Sequence, residues 1–205
     1  MIIEFLGVSG IGKTTIARKY KESLESEGKD VVWDTYDLYA NQTWLQRNVK
    51  KALNVGLYTI RNPKWERKLK KYLEENVASK KDIIKPLFNG TYLKSVLDRA
   101  NQDKKIHIFD EGSLHFLWAV KLRGKTGVTG NDILVIKDLF GLPNKLISIS
   151  AKPEIIEDRL IHRHSYTRIL DEKNMLQAIK RMQLVQKEIV NYTCEFVEIA
   201  FVNND

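Results

Sequence analysis

Residues Gly7-Val8-Ser9-Gly10-Ile11-Gly12-Lys13-Thr14 satisfy the pattern G-x-x-x-x-G-K-[ST] at every fixed position. The apolar run Met1-Ile2-Ile3-Glu4-Phe5-Leu6 comes directly before them and reads as a short buried strand. A helical stretch from Thr15 to Ser26 comes directly after. A glycine-rich loop clamped between a strand and a helix leaves few architectures open. Its glycines let the backbone curl so that several N–H groups aim at one point, and the helix adds its positive N-terminal end. In that frame Gly7, Ser9, Gly10, Ile11, Gly12, Lys13, Thr14 and Thr15 are the expected contacts of a polyphosphate. Lys13 reaches toward its outer phosphates, and the Thr14 hydroxyl is placed for Mg²⁺.

Beyond the loop, strand-like and helix-like segments alternate. Gly28 suits the end of the first helix, and Val31 to about Asp34 reads as a second strand. From Leu38 to Lys105 the pattern is mostly helical. Leu45, Val49, Ala52, Leu53, Gly56 and Leu57 recur at helical spacing, and Asn62-Pro63 marks a break. Trp65, Leu69, Tyr72 and Leu73 mark the buried side of the next helix. A linker carrying Pro86 and the turn signal Asn89-Gly90 then leads to a helix over Thr91–Ala100. Ile106 to Asp110 reads as a third strand, followed by helices near Ser113–Leu122 and Asp132–Phe140. Lys145–Ser150 is the fourth strand, with helices over Glu154–His162 and about Glu172–Asn191 after it. The run Phe196–Val202 is the fifth. Five strands alternating with helices predict an α/β fold: a P-loop three-layer sandwich with a five-stranded parallel sheet. We read residues 1–205 as one domain, with a helical acceptor-side insertion at about 38–105 and a lid at about 159–171.

Composition narrows the setting. No apolar run approaches the roughly 18 residues that span a bilayer, and the opening residues lack the basic start of a signal peptide. The lone Cys194 excludes an internal disulfide and offers no zinc pattern; we expect it to be buried or half-buried. A cytoplasmic protein is the expectation. The formal net charge is +8, and residues 61–105, with 13 Lys/Arg against 6 Asp/Glu, carry +7 of it. Such a balance suits an anionic small molecule. Nucleic acid is a weaker fit because acids are interleaved, so most of these lysines read as a solvated helical face.

Ligands of parallel sheets bind beyond the carboxyl ends of the strands, and three groups of chemistry-bearing residues fall there. They are the loop, the Asp34/Asp37 pair and Asp110-Glu111. Asp110 closes an apolar strand, where a carboxylate fixes Mg²⁺ or accepts a proton from an attacking hydroxyl; Glu111 is the alternative base. Asp34 stands where an acceptor enters and serves either to bind it or as the base. Arg159 and Arg163, four residues apart, face one side of a helix, and with Arg168 they suit phosphate through bidentate donation. His162 and His164 read as incidental. Trp33, Tyr36, Tyr39, Trp44, Tyr58 and Trp65 gather in the acceptor region, most of them expected in the core.

The sequence resembles the small P-loop kinases of the nucleoside and nucleotide kinase group, including thymidylate and deoxynucleoside kinases. The matching residues are Gly7–Thr14, Asp110, and the run from Ile147-Ser148-Ile149-Ser150 to Arg159-Leu160-Ile161-His162-Arg163. The resemblance implies ATP as donor, Mg²⁺ as cofactor, and transfer of the γ-phosphoryl group to a small acceptor, foremost a nucleoside or nucleoside monophosphate. It implies Lys13, Asp110, Glu111, Arg163 and Asp34 as catalytic candidates, Arg159 and Arg163 as nucleotide contacts, and Thr14 with Asp110 at the metal. Asp110-Glu111-Gly112 lacks the arginine that these kinases carry after the third strand, so sugars and other small alcohols stay open as acceptors. A polynucleotide end kinase or RNA-associated ATPase is a further alternative, and a homodimer is left open. A regulatory GTPase fits poorly. Asn144-Lys145-Leu146-Ile147 lacks the aspartate of a guanine-reading motif and precedes the fourth strand.

Overall fold

A computed structural model describes residues 1–34, 43–124, 126–162 and 174–205. Five strands form one parallel sheet in the order β2-β3-β1-β4-β5. They are β1 (Ile2–Leu6), β2 (Val31–Trp33), β3 (Ile106–Phe109), β4 (Lys145–Ser150) and β5 (Glu198–Asn203). Strand β1 is central, with Ile3 opposite Ile108 on one side and Lys145 on the other. A strand buried on both faces needs a near-continuous apolar run, and Ile2, Ile3, Phe5 and Leu6 supply it. From β1 the chain builds β2 and β3 to one side and β4 and β5 to the other, so the loop after β1 lies where strand order reverses.

Helix α1 (Lys13–Ser26) follows β1 and stops at Gly28, whose φ of +76° suits a residue without a Cβ. Between β2 and β3 come α2 (Trp44–Arg61), α3 (Pro63–Asn76) and α4 (Ile84–Gln102). The other α-helices among the described residues are α5 (Ser113–Arg123), α6 (Gly130–Phe140), α7 (Pro153–Ile161) and α8 (Met175–Thr193). Helix α3 buries Leu69, Tyr72 and Leu73, as its spacing predicts. Helix α2 buries no residue at all; its apolar stripe is open, with Trp44 71%, Leu53 62% and Ile60 78% exposed. A buried polar cluster ties three helices together. Lys121 of α5 contacts Asp132 of α6 at 2.8 Å, and Tyr72 of α3 donates to the same carboxylate at 2.9 Å.

Three expectations need correction. Pro86 and Asn89-Gly90 do not form a linker: α4 begins at Ile84 and passes through them. Proline is tolerated in a first turn, where its missing N–H has no partner to lose. Gly90 is a packing residue, because a Cβ there would lie 2.9 Å from both Leu69 and Phe116. Cys194 is exposed, just past the end of α8. Trp44 is not core, whereas Trp33 is buried and Trp65 packs edge-on against Tyr58 and Phe140. Tyr36 and Tyr39 lie outside the described residues.

Candidate active site

The phosphate loop has the curl its glycines foretell. Gly10 and Gly12 adopt φ values of +84° and +95°, a region that L side chains rarely enter. Gly12 leads into α1, whose first amides have no carbonyl one turn back within the helix. The Lys13 ammonium reaches back over the loop and donates to the carbonyls of Gly7 at 2.5 Å and Val8 at 3.4 Å. Thr14 and Thr15 are exposed on the first turn. Two side chains from distant elements brace the same point. Asn204, just past β5, donates to the Ile11 carbonyl at 2.7 Å, and Arg159 of α7 reaches it at 3.5 Å. Leu160 packs under Gly10.

Glu4 organises the floor beneath the loop. This β1 carboxylate is buried, and it accepts the backbone N–H groups of Leu114 (3.2 Å) and His115 (2.7 Å). It therefore caps α5, for which Gly112 has no side chain to offer. Burial pushes the Glu4 carboxyl up to about 7, against the opposing pull of those N–H donors.

Beside the loop opens a cleft of about 650 Å³ between α4 and α5. At its sheet end lie Asp34 after β2 and Glu111 after β3. His107 of β3 donates through Nδ1 to the Asp34 carboxylate at 2.7 Å, both side chains buried, which fixes the carboxylate's orientation. Glu111 is solvent-accessible yet crowded by protein. Its carboxyl is pushed above the usual range by desolvation and then by Asp110 next to it, while Lys13 and Lys51 pull the other way. The electrostatic reach from Lys13 through Glu111 to Lys51 joins loop and cleft into one site. The wall between them includes His115, whose ring burial drives down to about 3, so it stays neutral. Tyr92, Phe109, Phe116 and Trp118 supply the aromatic lining.

The structure thus brings together Lys13, Thr14, Asp34, Asp110, Glu111 and Arg159 around the carboxyl edge of the sheet. Arg163, Arg168, His164 and Asp37 lie outside the described residues. His162 is exposed and contacts the Asp158 carbonyl of its own helix at 2.8 Å. Most lysines of α3 are solvated, as expected. Sequence reasoning missed Glu4, Lys51, His107, His115 and Asn204. The one available signal was Glu4, a lone acid inside an apolar strand.

The donor set suits Mg²⁺. Thr14 offers an exposed hydroxyl, and the Asp110-Glu111 pair offers adjacent carboxylates whose mutual repulsion a cation relieves. Among the described residues no cluster of three His, Cys, Asp or Glu forms a ready-made cage. Mg²⁺ bound by one or two carboxylates and substrate phosphates needs none. No helix among the described residues is long and apolar enough to cross a membrane.

No protein-family model matches the sequence, and no curated protein matches it significantly. Solved structures do match in fold. Deoxyadenosine kinase from M. mycoides with bound dCTP aligns over 100% of this chain and 90% of its own, at a TM-score of 0.53 and 14% identity. The same kinase with bound dATP aligns over 100% and 91%, at 0.52 and 14%. With the products dCMP and a flexible dCDP bound, it aligns over 98% and 90%, at 0.54 and 15%. The parallel sheet, the loop after its central strand and the helices around it therefore share the α/β fold of deoxyadenosine kinase along nearly its whole length.

Proposed function

We propose that this protein is an ATP-dependent phosphotransferase that moves the γ-phosphoryl group of ATP to a small-molecule acceptor of the nucleoside or nucleoside monophosphate type. The observation that carries this reading is the cleft lined by Asp34 and Glu111, which opens next to Lys13. The loop amides and Lys13 hold the polyphosphate, and Arg159 stands beside them for the nucleotide. Thr14 and Asp110 hold Mg²⁺, which when bound neutralises charge on the phosphates. The acceptor lies in the cleft between α4 and α5, its hydroxyl against Asp34. His107 keeps that carboxylate aimed, and Asp34 takes the hydroxyl proton as the oxygen attacks. Glu111, crowded and raised, sits between the two substrates and orients the acceptor. Catalysis on this reading is mostly positioning and electrostatics. Within it, the helical insertion at about 38–105 serves the acceptor; the expected lid at about 159–171 falls largely, and Arg163 wholly, outside the described residues.

The test is an ADP-release screen of nucleosides, nucleoside monophosphates and sugars with the wild-type protein and Lys13→Ala. We expect the variant to lose about 10²–10³-fold or more of its turnover while keeping a native far-UV circular dichroism spectrum. Undiminished turnover in Lys13→Ala would remove the proposal.

A further inference from the structure

The cleft has a charge imbalance that the proposed chemistry does not use. Lys51 of α2, Lys85 of α4 and Arg123 of α5 line it, against two carboxylates, Asp34 and Glu111. Asp34 is already held by His107. Among the described residues, no ion pair joins any of the three cations to a carboxylate. The Arg123 guanidinium instead donates to the Ala119 carbonyl of its own helix at 2.6 Å.

Lys51 is the most exceptional of the three. Its ammonium is half-buried, donates to the Asn89 amide oxygen at 3.0 Å, and lies over the Tyr92 ring at 4.8 Å. These are neutral partners, which orient an ammonium without cancelling its charge. Burial lowers its pKa first of all; the Glu111 carboxylate pulls the other way, and two further cations, Arg47 one turn back on α2 and Lys85 across the cleft, add to the fall. Three cations that line a concave site against two carboxylates, one of them already held by His107, leave a place for an external anion. The cleft is thus lined by more cationic than anionic side chains.

We infer that the acceptor itself carries an anionic group, a carboxylate or a phosphate, which Lys51 and Lys85 hold while its hydroxyl faces Asp34. The inference rests on the kinase reading above and narrows it: among nucleoside-type acceptors it selects a monophosphate, phosphorylated at a sugar hydroxyl whose proton passes to Asp34 as ADP leaves, over the neutral nucleoside. A hydroxy acid has the same chemistry, and the test separates the two sources.

The experiment uses the full chain saturated with a non-hydrolysable ATP analogue and Mg²⁺, at constant ionic strength. Calorimetry then compares inorganic phosphate and two matched pairs, deoxyadenosine with its 5′-monophosphate and glycerol with glycerate. The expected result is that the charged member of at least one pair binds about tenfold or more tightly than its neutral counterpart. Lys51→Met should remove most of that difference, and Lys51→Arg should restore part of it. The monophosphate winning would point to a phosphate-bearing acceptor, and glycerate winning to a hydroxy acid. The inference is overturned if the neutral members bind as well as the charged ones. It is equally overturned if wild type and Lys51→Met do not differ toward any probe. A fall in turnover with acceptor binding unchanged would also overturn it, placing Lys51 on the transferring group. Failure of the ATP analogue to bind would instead sink the kinase reading.

Discussion

The two halves of the site are built on different principles. The phosphate loop is local. Eight consecutive residues, one strand before them and one helix after, set its shape, and positive φ at Gly10 and Gly12 does the rest. The cleft proposed for the acceptor is assembled from afar. Asp34, Lys51, Lys85, Asn89, Glu111 and Arg123 come from five separate segments, and His107 acts on Asp34 across 73 positions of chain. The contrast teaches that a short loop declares its chemistry through backbone conformation, whereas a cleft declares it only through packing. A donor half can be proposed from a motif; an acceptor half has to be argued from charge and geometry.

The sharpest way to break this contrast is at Asp34. If the cleft carboxylate takes the acceptor proton, Asp34→Asn should lower kcat by about 10²–10⁴-fold and leave the affinity for an ATP analogue unchanged. A loss confined to nucleotide affinity would place Asp34 in the donor half and dissolve the division. Rapid-mix measurement of product formation, alongside equilibrium nucleotide binding, gives both quantities.

Glu4 underlies both halves and predicts an effect on stability. Its carboxyl is raised in the folded protein, so the folded state holds its proton more tightly than the unfolded state does. Stability from this group is complete below about 4.5 and is lost as pH rises toward about 7. His115 runs the other way: its ring is depressed to about 3, so stability falls as pH drops below about 6.5. Comparing Glu4→Gln with wild type isolates the carboxylate. Urea unfolding should show the variant gaining relative to wild type by on the order of 3 kcal/mol between pH 4.5 and 8. A constant difference across that range would mean that Glu4 is charged throughout in the fold.

The smallest expected effect sharpens the donor half. Asn204→Ala removes the 2.7 Å hydrogen bond to the Ile11 carbonyl, which is worth about 1 kcal/mol. The KM for ATP should rise a few-fold while the KM for the acceptor stays put. If the acceptor KM moved as well, the loop and the cleft would be mechanically coupled.

Most of the scaffold was readable beforehand. The apolar runs of β1, β3 and β4, the alternation with helices and the stop at Gly28 all follow from periodicity and turn chemistry. The linker expected at Pro86 and Asn89-Gly90 shows where this reasoning fails. Local signals said turn, but Gly90 lies where α4 presses on Leu69 and Phe116, and close packing favours continuing the helix. Lys51 shows the matching failure at the site. Nothing in the sequence marks Lys51, or Lys85 among the 13 Lys/Arg of residues 61–105, as facing a cleft while most of their neighbours face water.

The sequence alone determined the curled glycine-rich loop and the parallel sheet that presents it, because both depend on the order of neighbouring residues and on their φ/ψ and hydrophobic preferences. Only the tertiary structure decided that Glu4 caps α5, that His107 aims Asp34, and that Lys51 and Lys85 line the cleft between α4 and α5. The physical reason is range. A side chain's burial, charge environment and hydrogen-bond partner are set by what the fold brings against it, and in each of these cases that partner lies on another element, far away in the chain.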